Sequence, residues 1–451
     1  MNKIILILII MLLAVTFGTE ATATPVCCRD FATSQGELID SFENMENWTI
    51  SGTATADNKN YKEGSQGIKL VATSASNPYI IKTTNISMAT AADVSVWAYV
   101  ENVETLDSIV IYLGDNSAFS KYYFTSVGPS YLRNGWNHLT ILKDKFTTTT
   151  GMAWQDPIRS IKIKVNSNLL GNAAVTFDNL RYKRSGKATI IIGFDDGLIN
   201  VSLKAYPIMA ANNQRGVIFV STAWINTVGK LSLSDLNTMY EDGWDISSHS
   251  VNDKNLLSTP DTATITAELQ DSQAWLLAHG FKRSAYVYAY PGGAYNQNII
   301  DEVKKYYVLA RSVDPNAYSY YQPDSMHGDL NYRLSTQTVT KTTSPQYIMD
   351  KINTTIDTSG LLILSFHDIG DDGDASNSDI IYKVGNFKKI SDYIASRNAD
   401  IDVITFSDLL IFSQSSVPEL ENKIDIKGYL LLIYHKIQNM FTQFIWMIGL
   451  S

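Results

Sequence analysis

Apolar positions follow two different rhythms along this chain. Between Glu37 and Lys183 they alternate with polar ones in short runs, as in Val94-Ser95-Val96-Trp97-Ala98-Tyr99-Val100 and Ser160-Ile161-Lys162-Ile163-Lys164-Val165. A period of two sends successive side chains to opposite faces of a strand. Many such runs separated by turns, with no long helical pattern between them, predict a β-sandwich. After Arg184-Ser185-Gly186 the rhythm changes to apolar runs at 188–194, 216–221, 244–248, 285–290, 307–313, 361–366 and 402–406. Helical stretches at 201–213, 232–242, 261–279, 297–306, 344–356 and 379–396 separate them. Strand and helix in alternation predict a parallel, barrel-like sheet with its chemistry at the C-terminal strand ends.

The remaining composition bears on address. With 451 residues the chain is long enough for more than one core. Acidic residues number 45 against 36 basic ones, and a net charge of -9 argues against a nucleic-acid partner. Lys3, the apolar run 4–15 and Ala21-Thr22-Ala23 form the three parts of a secretory signal peptide over 1–23. Export is expected, to a secreted or cell-surface location; an uncleaved anchor is the alternative, for which the apolar run is short. Cys27 and Cys28 are the chain's two cysteines and are neighbours, so no disulfide framework exists. The segment around them is expected to be disordered. Over 415–451 a linker leads to an apolar and aromatic tail interrupted by His435, Lys436, Gln438, Asn439 and Gln443. That pattern predicts an amphipathic helix, lying on a membrane surface or docked on the body, rather than a span.

Four of the strands in the second half end in residues with chemistry. Asp195-Asp196 closes the first, His249 the third, Pro291-Gly292 the fourth and His367 the penultimate one. Adjacent acids at the end of a buried strand are costly unless a cation or a proton-transfer role compensates them. His249 and Asp253 are four apart, so on a helical turn they share a face and can hold one ion. One Asp can then bind the metal while its neighbour works as a base. The outline is that of a hydrolytic site.

In order and spacing these motifs resemble the polysaccharide deacetylase family, carbohydrate esterase family 4, over 187–414. The resemblance implies a distorted (β/α) barrel. Phe194-Asp195-Asp196-Gly197 is similar to the first family motif, in which Asp195 would be the base and Asp196 a metal ligand. His249-Ser250-Val251-Asn252-Asp253 is similar to the second, which implies His249 and Asp253 as further ligands. Tyr290-Pro291-Gly292 and Tyr295 match the third, which walls the substrate groove and offers the Gly292 N–H to an oxyanion. His367 falls where the family has its general acid. The segment 37–183 resembles jelly-roll, carbohydrate-binding-like modules, through Asp40-Ser41-Phe42-Glu43, the Tyr61–Ser65 turn and Phe177-Asp178-Asn179-Leu180. That likeness implies glycan binding, with Trp48, Tyr79, Trp97, Tyr122, Tyr123 and Trp136 as stacking residues. It also implies a structural calcium held by Glu43 and Asp178, which as surface carboxylates need no ion at all.

Departures from the family pattern set the open questions. Asp253 replaces a usual ligand histidine and makes a harder donor set. Ala289 stands where an arginine usually tethers the base, and Arg311 on the next strand is the expected substitute. Asp314 is the candidate to orient His367. The resemblance implies one divalent ion, zinc first, with cobalt, nickel or manganese as alternatives. The expected activity is release of acetate from N-acetyl or O-acetyl groups of a polysaccharide. The alternative is a non-catalytic glycan-binding protein on a degenerate deacetylase scaffold.

Overall fold

The structure, a computed structural model, describes residues 25–412 except 29–35, 133, 149–150, 169, 184–185, 260, 314–330 and 375–377. The leader, the tail and Asp314 lie outside the described residues. Cys28–Leu410 forms one compact unit, and Met1–Cys27 with Ile411–Ser451 a second. The described part of the second is short: it holds all but one residue of the strand Pro25–Cys28 and of its pairing partner, the strand Leu410–Phe412. The two cysteines are therefore in a strand, against the expectation of disorder, because backbone pairing supplies order that their composition does not. Among the described residues no helix is long and apolar enough to cross a membrane.

Residues 37–182 form two facing six-stranded sheets, antiparallel throughout. One runs Gly135–Leu142, Asp93–Val100, Ala173–Tyr182, Gly67–Ala72, Ala54–Asp57, with Glu37–Asp40 also on Ala173–Tyr182. The other runs Thr147–Thr148, Tyr122–Val127, Leu106–Gly114, Ile158–Ser167, Tyr79–Ile86, Trp48–Ser51. The alternation explains the core: Ile161, Ile163 and Val165 point inward, as do Ile109, Ile111 and Leu113, and all are fully buried. The aromatic residues named for sugar stacking separate into four groups. Trp48 belongs to this core, Trp97 is buried against Trp136 and His138, and Tyr123 packs edge-on to Trp154. Tyr79 and Tyr122 remain partly exposed on the second sheet.

The second half is built on a wholly parallel sheet, whose strands are numbered here β1 (Ala188–Phe194), β2 (Val217–Val220), β3 (Asp245–Ser248), β4 (Val287–Ala289), β5 (Leu309–Arg311), β6 (Gln337–Thr338), β7 (Leu361–Phe366) and β8 (Ile401–Val403). Their order is β5-β4-β3-β2-β1-β7-β6, and β8 also pairs with β1. β1, β2 and β7 are nearly continuous apolar runs, broken by Thr189 and Ser365, as suits strands covered on both faces. Helices Tyr206–Ala211, Leu233–Glu241, Thr262–Ala278, Gln297–Val303, Pro345–Asp357 and Val384–Ser396 connect them. β6, only two residues long, has no sequence signal and was not expected. The last helix starts at Val384 rather than 379, because Ile381–Lys383 instead pairs with Asp368–Gly370.

Candidate functional site

β1 delivers the paired acids. Its ladder with β7 continues one residue past the strand, where the Asp195 N–H donates to Phe366 O at 2.9 Å. The chain then turns through Asp196 at φ 68° and Gly197 at φ 60°, so the two carboxylates diverge. Asp195 is buried. Its Oδ1 accepts from Arg311 Nη2, its Oδ2 accepts from Ser365 Oγ at 3.1 Å, and His367 Nε2 lies 3.8 Å from Oδ2. Burial alone would push this carboxyl up, but Arg311, with His249 and His367 beyond it, holds it below the usual carboxylate range.

Arg311 ends β5 and pairs in parallel register with Ala289 on β4. The guanidinium that Ala289 cannot provide thus comes from one strand further out. It is fully buried, lies 4.5 Å from the Phe219 ring, and keeps Nε and Nη1 without hydrogen-bond partners among the described residues. Such a group is costly unless its charge is used.

His249 follows β3. Its Nδ1 lies 2.9 Å from Ala289 O. A carbonyl only accepts, so Nδ1 carries a proton, and in the neutral ring Nε2 presents its lone pair. Nε2 is 3.6 Å from Asp196 Oδ1 and 3.3 Å from Asp253 Oδ1. The three donor atoms all lie within 4.8 Å of one another. Tetrahedral bonds of about 2.1 Å place ligand atoms about 3.4 Å apart, so the set fits a small divalent cation. Burial and the charges of Asp196 and Asp195 push the Asp253 carboxyl up, against His249 and Lys230. A cation would relieve that repulsion.

The loop that carries Asp253 doubles back through left-handed conformations at Ser250 (φ 69°) and Asp253 (φ 55°). Glu268, on the helix Thr262–Ala278 and buried, holds it. Its Oε2 accepts from the N–H groups of Val251 and Asn252, both at 2.9 Å, and its Oε1 accepts from Asn252 Nδ2 at 2.8 Å. Beneath it, the Ser250 and Tyr288 hydroxyls share a hydrogen bond of 2.9 Å.

The third predicted element follows β4. Tyr290 and Pro291 are buried, whereas Tyr295 remains partly exposed with its ring 5.3 Å from that of Tyr290. Gly292 takes φ 62°, a conformation open to glycine at no steric cost. His367 follows β7, keeps about a fifth of its side chain exposed, and has no partner for Nδ1 among the described residues. Asp195, Asp196, His249, Asp253, Arg311 and His367 are thus brought together at one rim. Glu43 and Asp178 lie elsewhere, at the loop 62–66: Glu43 accepts from the Ser65 and Gln66 N–H groups, and Asp178 Oδ2 from those of Lys62 and Glu63. Asp178 Oδ1 is buried and makes no hydrogen bond that meets full geometric criteria among the described residues. No third acid or histidine joins them in a ligating trio among the described residues.

Residues 182–309 match the family model described as polysaccharide deacetylase. This segment is a polysaccharide deacetylase domain. The match ends before Arg311 and His367, which the fold brings to the same rim as Asp195. No curated protein matches the chain. Among solved structures, the deacetylase PplD of Streptococcus pyogenes in complex with acetate is 24% identical, over 28% of this chain and 55% of its own, with a TM-score of 0.26. The chain therefore spans about half of that protein. A family 4 acetyl xylan esterase from Clostridium thermocellum, solved with cobalt, is 14% identical over 49% of this chain and 89% of its own, with a TM-score of 0.34. A family 11 carbohydrate-binding module from Clostridium thermocellum, bound to a mixed-linked tetrasaccharide, is 13% identical over 33% of this chain and 95% of its own, with a TM-score of 0.27.

Two residues of the deacetylase domain escaped the sequence reading. Glu268 lies between motifs on a helix, where a lone acid reads as surface. Lys230 lies on the loop after β2, where its Nζ donates to Asp196 O at 3.0 Å and rests 4.0 Å from the Trp224 ring centre. Its charge opposes that of Asp196, Asp253 and Asp368. No local pattern marks either residue, because both act across the fold.

Proposed function

We propose that this chain is an exported, metal-dependent deacetylase that hydrolyses acetyl groups of a polysaccharide and releases acetate. The observation that carries this reading is the placing of Asp195 and His367, 3.8 Å apart, beside the Asp196–His249–Asp253 donor set. A binding scaffold needs neither a base held ionised nor a facing histidine.

Asp196, His249 and Asp253 would hold one divalent ion, zinc first by analogy with the family; such an ion polarises a carbonyl and acidifies water. Asp195, kept ionised by Arg311, takes the proton from an attacking water. By its place in the third family motif the Gly292 N–H would donate to the developing oxyanion, a contribution of roughly 3 kcal/mol for a preorganised donor. His367, reachable from solvent, then donates a proton to the departing nitrogen or oxygen. Arg311 itself acts on Asp195 and touches no reacting atom. Its presence also removes one ground for a scaffold without activity, the missing arginine at Ala289.

The test is acetate release from acetylated chitooligosaccharides and acetylated polymers, after chelation and after return of zinc, cobalt, nickel or manganese. Release restored by metal and abolished in Asp195→Ala is the expected result. No release on any substrate, with no ion retained in stoichiometric amount, would leave the glycan-binding scaffold as the function.

A further inference from the structure

The outer face of the sandwich's second sheet carries a feature that its core does not require. Lys162 and Lys164 alternate with the buried Ile161, Ile163 and Val165, so both point away from the core. Lys162 lies directly opposite Tyr112, and Lys164 directly opposite Tyr79, in the ladders on either side. The Lys162 ammonium is 3.9 Å from the Tyr112 ring centre, 4.4 Å from Phe119 and 5.8 Å from Tyr79. Tyr112 in turn abuts Tyr122, with ring centres 5.6 Å apart. Tyr79, Tyr112, Tyr122 and both lysines remain partly exposed.

Neither lysine has a carboxylate within ion-pair distance among the described residues. Burial among the rings, with the charge of Lys164 two residues away, holds the Lys162 ammonium below its usual range. Two like charges about 7 Å apart along one strand repel unless an anion lies between or above them. In a chain of net charge -9, leaving such a pair without its own acids is not a consequence of composition. Aromatic rings flanking a cation pair offer a flat apolar face to a pyranose ring and a charge to its substituent. Two lysines are too few for the phosphate contacts of a nucleic acid.

We propose that this face binds an anionic polysaccharide, with carboxylate-bearing sugars held by Lys162 and Lys164 and stacked on Tyr79, Tyr112 and Tyr122. The proposal rests on the reading of the chain as a polysaccharide deacetylase and narrows its polymer to an acidic class.

The full chain would be tested by affinity electrophoresis in gels containing polygalacturonate, alginate or hyaluronate, beside fully methyl-esterified polygalacturonate and neutral hydroxyethylcellulose. Retardation by acidic polymer is expected, weakened about tenfold by esterification and by the double substitution Lys162→Gln, Lys164→Gln, since a charged hydrogen-bonded contact contributes that much or more. Equal retardation by the esterified polymer, equal retardation of the double variant, or none by any acidic polymer would each overturn it. The esterified arm needs no variant, so it decides the matter even if the double variant fails to fold. Acetate release from a short acetylated oligosaccharide is measured in parallel and should be unchanged in that variant. Absence of release in the parent would instead count against the catalytic reading.

Discussion

Arg311 donates to Asp195 from the strand beside the one that carries Ala289. Because both partners are buried, Arg311→Met leaves a carboxylate with burial and no guanidinium to oppose it. Breaking such a pair from one side costs about 3–5 kcal/mol or forces the acid to take up a proton. Arg311 lowers the Asp195 pKa, so its removal raises it. The acidic limb of the pH profile for acetate release should move to higher pH, and the rate at neutral pH should fall about 100-fold or more. A profile unmoved on its acidic side would remove Asp195 from the role of base.

Glu268 should matter to metal affinity although it lies behind the ligands. Its hydrogen bonds hold Val251 and Asn252, and so the turn that aims Asp253. Glu268→Ala is expected to weaken zinc binding about 10–100-fold, as loss of an outer-shell partner does. Competition against a chromophoric chelator measures this directly, and Glu268→Gln should recover part of it.

Asp178 sets a stability that falls as pH rises. Burial pushes its carboxyl up to about 6 from 3.8, helped by Glu43 and opposed by the backbone N–H groups of Lys62, Glu63 and Asn179. The folded chain therefore holds a proton that the unfolded chain has already lost. The stability this gives is complete below the unfolded value and lost as pH rises through about 6. Asp178→Asn keeps an acceptor for the loop and has no charge to bury. It should raise the melting temperature at pH 8 and flatten its decline between pH 4 and 7, by thermal denaturation in the absence of calcium.

The sequence carried the parallel sheet and the rim because both rest on local signals. Nearly continuous apolar runs mark β1, β2 and β7, and Asp195-Asp196, His249 and His367 sit at strand ends where those runs stop. Arg311 was expected from its strand position, and the register of β4 with β5 gives it that reach. Glu268 and Lys230 left no trace, since their partners are 16 and 34 residues away along the chain. The sandwich aromatics divided for the same reason. Period two tells which residues share a face, but which face is the core depends on the opposite sheet, so Trp48 and Tyr79 look alike until packed.

Asp253→His would test the hardness of the donor set. Replacing a carboxylate by an imidazole should raise preference for zinc over manganese about tenfold or more, read by metal competition on the purified chain. An unchanged preference would mean that Asp253 does not bind the ion.

The left-handed turn at Asp253 also bears on how this site can change over generations. At φ 55° most side chains strain the backbone, whereas Asp, Asn and His are the residues found there most readily after glycine. The codons of Asp are a single base away from those of both His and Asn. A lineage can therefore exchange the proposed ligand at this position in one mutational step without rebuilding the loop. The metal preference of the proposed site is thereby open to change by single substitutions that the backbone already accommodates.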